Sequence, residues 1–442
     1  MPFRIGLSGL NAAQADLKIT GNNIANVSTV GFKQSRAEFA DVYASSKFGS
    51  VSTAIGSGVR LAAASQQFTQ GNIIFTENNL DLGITGDGFF SLADVSGNQV
   101  YTRNGQFKVD KDGFIVDNSN SNLKGYGVDP NTNNINTGSI VNLQVNSTNI
   151  APNPTSAATL VANIDSGEVV PAVPFTIDPV NGVVDPASYN HTTSFTSFDS
   201  LGNSMLTSMY FRKSAANQWD VAVKLIDAQG NVFQNVDSGI ASTPTFISIA
   251  GGPTPIEFTS AGVLDTTTLL PGPVPQAGTF DLTFDLTTPV PPSGAASQDI
   301  NFDLNGLTQF GANFGVTDLA QDGYTTGQLS GIDVDQSGVI SARFTNGQSN
   351  NLGQVYLTNF TNSQGLSQLG DNYWGESFAS GQGIINAPGN GNAGLINSGA
   401  LEDSNVDLTA QLINLITAQR NFQANAKTIT TADTITQTVI QL

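Results

Sequence analysis

The closing stretch of this chain, Ala400 to Leu442, contains no glycine and no proline, in a sequence that otherwise carries 46 Gly and 18 Pro. With the two strongest helix breakers missing, it is free to form one long helix. Leu401, Leu408, Leu415, Phe422 and Ile429 stand seven residues apart, and Leu412, Gln419, Ala426 and Asp433 follow at an offset of four. Seven residues are about two helical turns, so both rows share one face. That is the a/d pattern of a helix that packs lengthwise along another helix. Ser404 and Asp407 make a capping-box-like S-x-x-D at its start. Asp403 and Asp407 lie near the positive end of the macrodipole, with Arg420 and Lys427 further along. From Asn405 the helix runs about 35 residues, roughly 50 Å, and its apolar row decays into Thr and Gln after Ile429.

The opening of the chain mirrors its end. Phe3, Leu10, Leu17 and Ile24 are again seven apart, with Leu7 and Ala13 beside them. A lone helix with so thin a stripe is marginal in water. Two such stripes at opposite termini suggest that they meet each other; the alternative is that each packs on the chain's own globular core. The candidate assembly residues are therefore Phe3, Leu10, Leu17, Ile24, Leu408, Leu415, Phe422 and Ile429.

Between the ends the pattern changes twice. Residues 29–70 lack clear periodicity and read as an extended connector, with a turn at Val30-Gly31-Phe32 and a loop at Ala44 to Ser50. From Gly71 onward short apolar runs are bounded by Gly or Asn: Asn72 to Phe75, Leu80 to Ile84 and Gly88 to Leu92. Phe107-Lys108-Val109 and Phe114-Ile115-Val116 flank a tight turn with Gly113 at its positive-φ position. Val334 to Ile340 echoes that hairpin far along the chain. The echo suggests one β domain built from two separated segments. Residues 151–321 lie between those segments. They carry 15 Asp/Glu against 3 Lys/Arg, so 15 − 3 = 12 of the 19 net negative charges sit there. Alternating runs such as Ser204 to Phe211 and Phe280 to Leu286 read as an all-β barrel or sandwich. The expected fold is mainly β with terminal α-helices, in nested discontinuous domains. Residues 1–28 and 400–442 form a coiled-coil-like helical domain, 71–150 and 322–399 a β-rich middle domain, and 151–321 an inserted all-β domain.

Composition and motifs exclude most chemistry. A net charge of −19 makes nucleic acid and anionic membrane poor partners. The absence of cysteine excludes disulfides, thiolate metal sites and Cys nucleophiles. Met1 to Ala40 has no apolar core of signal-peptide length and no run reaches membrane-spanning length. No membrane insertion is expected, and the chain stays in the cytosol or leaves by a route that reads no cleaved signal. Asp333-Val334-Asp335-Gln336-Ser337-Gly338 resembles the start of a calcium loop, but its twelfth position is Phe344 instead of Glu. The sole histidine, His191, lies in a polar stretch without a nucleophile elbow and reads as a surface residue. Gly86-Asp87-Gly88 lacks a phosphate-loop lysine, and Arg103, Arg343 and Arg420 are too dispersed for a basic patch. No enzyme, cofactor or metal site is expected.

The two ends carry a family resemblance. Leu7-Ser8-Gly9-Leu10-Asn11-Ala12-Ala13 and Gly21-Asn22-Asn23-Ile24-Ala25-Asn26-Val27 through Lys33 resemble the amino-terminal signature of bacterial flagellar rod and hook proteins. Ser35 to Tyr43 continues it in the manner of hook proteins. Ser404-Asn405-Val406-Asp407-Leu408 and Ala418 to Lys427 are similar to the carboxy-terminal signature. Asn79-Leu80-Asp81-Leu82, Gly86 to Phe90 and Tyr101-Thr102-Arg103 resemble the shared β domain, and Phe198 to Gly202 with Trp219 resembles the hook-type insert. The resemblance implies a structural subunit that polymerises into a curved, flexible tube joining rod to filament and passing motor torque. It implies terminal helices in the inner layer and the insert outermost. The implied partners are further copies of the chain, the distal rod protein, the hook–filament junction protein, the hook cap and the flagellar export apparatus. A distal rod or other axial protein is the alternative, though the distal rod protein is much shorter. A secreted adhesin would share the polar β composition without needing paired terminal heptads.

Overall fold

The computed structural model describes residues 2–42, 56–130, 132–145, 149–175, 183–233, 256–265, 279–284, 286 and 294–440. Ala44 to Ser50, read above as a loop, lies outside them. The chain is mainly β, with an α-helix at each end: α1 (Pro2–Ala25) and α2 (Leu408–Ile440). It divides into two units. The first comprises Met1–Ser147, Ser330–Arg343 and Ser349–Leu442; the second comprises Thr148–Leu329 and Phe344–Gln348.

In the first unit, strands from both separated segments share one sheet. Phe89–Ala93, buried along its whole length, is central. It pairs antiparallel with Gln99–Thr102 and Asn122–Val128, and also with Leu357–Asn359 from the distant segment. Ser349–Val355 adds a second tie to Asn122–Val128. The echo between the two hairpins has a local cause. Asp110 Oδ1 accepts from the amides of Asp112 and Phe114 at 2.9 and 2.7 Å, and Asp335 Oδ1 accepts from Val339 N at 2.9 Å. Three residues after each Asp, Gly113 and Gly338 take φ of 86° and 79°. An Asp side chain that closes the turn, followed by a residue free to adopt positive φ, specifies the same hairpin twice. In the calcium-loop look-alike, Asp335 is thus engaged by its own turn. One face of the sheet carries edge-to-face aromatics: Phe68, Phe89 and Trp374 lie with centroids 5.5–5.7 Å apart. Tyr101 meets Phe360 at 4.8 Å.

The segment expected to be an extended connector differs from that expectation. Ser35–Asp41 and Val59–Gln66 pair antiparallel, with a bulge at Glu38/Phe39. The hairpin lies on α1: Ser35 N donates to Asn23 Oδ1 at 2.9 Å, and Val59 N to Ser8 Oγ at 3.2 Å. These strands are rich in Ala and charged residues, so the period-2 apolar signal that reveals most strands is weak in them.

The second unit is a sandwich of two five-stranded sheets. In one, Ala157–Asp165 lies parallel to Gln298–Asp303 and Thr308–Phe310 and antiparallel to Gly315–Gln321. The other contains the meander His191–Phe198, Ser204–Ala215 and Gln218–Asp227. Strict alternation along Ala157–Asp165 turns Ala158, Leu160, Ala162 and Ile164 inward. They join Phe211, Trp219, Phe284 and Phe302 in one buried cluster. His191 is not a surface residue. Its ring stacks on Phe314 at 4.5 Å and on Trp219 at 5.9 Å. Burial holds its pKa below the ordinary histidine value, against the opposing pull of Glu168 and Asp165.

The paired terminal helices and the buried polar knot at their base

A helix pair needs one face of each partner turned inward, and the two termini supply it to each other. A methyl group placed on Gly6 would fall 2.8 Å from Ile429 Cγ1, and one on Gly9 would collide with the Asn425 side chain. Asn23 Nδ2 donates to Gln411 Oε1 at 3.3 Å. As numbers rise along α1 their partners fall along α2, so the helices are antiparallel. The end of α2 therefore runs past the start of α1 by roughly two turns, and Ile435, Val439 and Ile440 there are exposed.

The seam contains half of the expected rows. On α1 the most buried positions are Gly6, Ala13, Thr20 and Asn23, while Leu10, Leu17 and Ile24 are half-buried beside them and Phe3 is 40 % exposed. On α2 Gln411, Ala418 and Ala432 are buried, and Leu415, Phe422 and Ile429 are half-buried. The companion row of α2 is thus Gln411, Ala418, Asn425 and Ala432. It is not Leu412, Gln419, Ala426 and Asp433. Leu7, Leu408 and Leu412 face outward at 53, 44 and 44 % exposure, and Ile413 and Ile416 are exposed as well. Leu401 belongs to no helix: it lies in strand Ala400–Glu402, paired with Ile73–Phe75. Small residues at the contact let the backbones approach closely, which leaves the large apolar side chains on the outside.

The start of α2 is set by Asp407, whose Oδ1 accepts from the amides of Thr409 and Ala410 at 2.8 and 3.1 Å. The helix therefore opens at Leu408 instead of Asn405, and Ser404 caps nothing in it. Its last turns hold despite their threonines. Thr431, Thr434, Thr436 and Thr438 each return the hydroxyl to the carbonyl four residues back at 2.8–2.9 Å.

At the base of the pair, five stretches of chain converge on buried polar groups. Glu402 is fully buried and takes two cations: Lys33 Nζ at 2.6 Å and Arg103 Nη1 at 3.1 Å. Its carboxylate also accepts from Gly71 N at 2.8 Å, and its carbonyl from Gly31 N at 2.8 Å. Lys33 Nζ donates further to Thr69 O at 2.7 Å, and Arg103 Nη2 to Gly86 O at 2.9 Å. Burial pushes the Lys33 pKa down, and the Glu402 carboxylate pulls it back up. Asn405 receives Gln34 N at 2.8 Å and donates to Gln67 O at 2.7 Å. Gly31 is required here: its φ is 71°, and a side chain would strike the Arg103–Asn104 backbone. A buried ion group holds a register, because any shift leaves a charge unpaired. The knot thus fixes the exit of α1 and the entry of α2 to the sheet.

Sequence reading placed Arg103 among scattered arginines and gave Glu402 no role. The available signal was a glutamate inside the strand-like run Ala400-Leu401-Glu402, in a chain only 12 % charged. Among the described residues no group of His, Asp and Glu is arranged to hold a metal ion, and no helix is long and apolar enough to cross a membrane.

Helices from both termini are thus tied to a β domain by the knot, and comparison with known proteins gives the class of the chain, the axial proteins of the flagellum. Family models match in four places: the flagella basal body rod protein at residues 3–33, the flagellar hook protein FlgE/F/G D1 domain at 83–155, the flagellar basal body protein FlaE D2 domain at 163–324 and the flagellar basal body rod FlgEFG protein C-terminal at 397–442. Over 445 aligned residues the chain is 36 % identical to the flagellar hook protein FlgE of Escherichia coli (strain K12), with 100 % of both chains covered. It is 31 % identical to the hook protein of Borreliella burgdorferi, covering 99 % of this chain and 98 % of that one. A crystal structure of the Helicobacter pylori flagellar hook protein FlgE2 overlaps 75 % of this chain and 99 % of its own, at 12 % identity and a TM-score of 0.49. The chain belongs to the flagellar hook protein FlgE family, whose members are structural parts of the flagellum and not enzymes.

Proposed function

We propose that this chain polymerises into the curved, flexible tube that joins the flagellar rod to the filament and transmits motor torque. The observation that carries the reading is the outward row of large apolar side chains on the paired helices, Leu7, Leu408, Leu412, Ile413 and Ile416. A monomer leaves these in water, whereas a neighbour's helix pair would bury them at roughly 2 kcal/mol per leucine. Leu10, Leu17, Ile24, Leu415, Phe422 and Ile429, half-buried, then hold each pair together at its seam, while Phe3 stays exposed for a neighbour. In this reading the helices line the tube, the middle β domain (71–150 with 322–399) surrounds them, and the acidic insert 151–321 is outermost. The subunit leaves the cell through the flagellar export apparatus and is added beneath the hook cap. It meets the distal rod protein at one end of the tube and the hook–filament junction protein at the other. The contact between copies is heterologous, since a self-complementary patch closes a dimer and does not extend a helix.

Electron microscopy and sedimentation of the purified chain test this, beside Leu412→Asp and Ile416→Asp. Wild type is expected to form tubes. Both variants should stay unassembled, with a thermal transition matching that of the unassembled wild type. Tubes formed by both variants would remove the outward row from the assembly contact. Isolated particles or lattices from wild type would overturn the reading itself.

A further inference from the structure

Among the described residues of the first unit Phe378 is the most exposed large apolar one, at 106 % of its reference surface. It is not carried on a loose loop. Ser377 Oγ donates to Gly365 O, Ser380 Oγ to Ser377 O at 2.9 Å, and Asn362 Nδ2 to Ala379 O at 2.9 Å. Ser380 is fully buried, and the Ala379–Ser380 backbone lies so close to Gly365 that a side chain there would collide with it. The loop is pinned on both sides of Phe378 and presents the ring to solvent. A fixed aromatic has little conformational entropy left to lose on being buried, which is the property of an interface anchor.

The same unit contains a cleft of mixed apolar and polar lining. It measures about 580 Å³ and lies between α1, the Val59–Gln66 strand and residues 363–368. Ile19, Phe68 and Leu366 are the large apolar side chains of its lining, beside Gln66, Gln364 and Gln368, and Lys18, also in the lining, is exposed. Glu376, two residues before Phe378, is exposed, so the anchor carries a negative charge where the cleft carries a positive one. Phe378 cannot serve its own cleft, because its pinned loop holds it in solvent.

We propose that Phe378 of one copy seats in this cleft of the next, with Glu376 meeting Lys18. This rests on the polymer reading above and gives that polymer a second contact, separate from the outward helix rows. Knob and socket are different surfaces of one chain, so within the polymer each copy can give its knob to one neighbour and its cleft to another.

The test uses the full chain, which has no cysteine of its own. A Phe378→Cys chain is mixed with a longer, tagged Gln368→Cys chain under assembling and non-assembling conditions, then oxidised. The expected result is a disulfide-linked mixed dimer, identified by its intermediate size, in the polymer and not in the unassembled mixture. Phe378→Ser should raise the critical concentration for assembly by roughly tenfold or more. It should leave the thermal transition of the unassembled chain unchanged, since the ring has nothing to lose in the monomer. Polymers that form without the mixed dimer, or a Phe378→Ser chain that assembles at the wild-type concentration, would overturn the proposal. A wild-type chain that forms no polymer would overturn the reading beneath it, and this one with it.

Discussion

The terminal helices and the inserted sandwich dispose of their apolar residues in opposite ways. In the sandwich, Phe211, Trp219, Phe284 and Phe302 are all but completely buried between two sheets of the same unit. In the helix pair the inside is Gly6, Ala13, Thr20, Gln411 and Ala418, and the outside is leucine and isoleucine. The sandwich fills its own core. The helix pair is held in place by small-residue contact and by the knot at its base, and it retains unspent apolar surface. A unit of the first kind is stable alone. A unit of the second kind is stable enough to present a surface, and gains the rest from neighbours.

Four substitutions in the unassembled chain would break or sharpen that contrast. The largest effect is expected at the knot. Glu402→Ala strands Lys33 and Arg103 without a counter-charge, and breaking a buried pair in this way costs about 3–5 kcal/mol. Calorimetry should show the loss in the transition of the first unit. A cost under about 1 kcal/mol would mean that the helices are anchored by something other than the knot. In the sandwich, Trp219→Ala removes the largest fully buried side chain and should cost about 3–5 kcal/mol, read from the denaturant midpoint. A near-neutral result there would mean that the sandwich does not depend on its own core.

At the seam, Gly6→Leu drives a side chain into Ile429 and should cost about 1–3 kcal/mol by overpacking. Helical circular dichroism should fall while the β signal stays. If the helical signal survives intact, the small-residue contact does not hold the pair. The smallest effect is a pH dependence. Because His191 has a lowered pKa in the fold, the unfolded chain binds its proton first, below roughly pH 6.5. Its contribution is therefore complete above that pH and is lost as pH falls from there through the lower folded value. His191→Phe keeps the stack on Phe314 and Trp219 and should flatten stability between about pH 6.5 and 5, above the range of ordinary carboxylates. An unchanged slope in fluorescence-monitored unfolding would assign it to other groups.

Much of this molecule is legible from local spacing. The seven-residue rows mark both helices, and Asp followed by Gly at the third position marks hairpins at Asp110 and Asp335. The alternation along Ala157–Asp165 marks a strand with one buried face. Residues in the signatures that carried the family resemblance, Lys33, Arg103 and Asn405, are members of the buried polar knot, and Asn23 bonds Gln411 across the helix seam. Their motifs pointed to a family before their contacts gave a reason for them.

Sequence alone determined the helices at both ends, the β character between them, the acidic insert and the absence of cysteine chemistry, because each is a property of neighbouring residues or of composition. Only the tertiary structure decided which rows face inward. Periodicity weighs apolar side chains, and here half of the seam is glycine, alanine, threonine and glutamine, which that measure passes over in favour of Leu412. Only the tertiary structure joined Lys33, Arg103 and Glu402, which lie up to 369 positions apart in the chain. A charge acquires its partner from whatever the fold brings within about 4 Å. That distance is set by packing, which no local pattern of residues records.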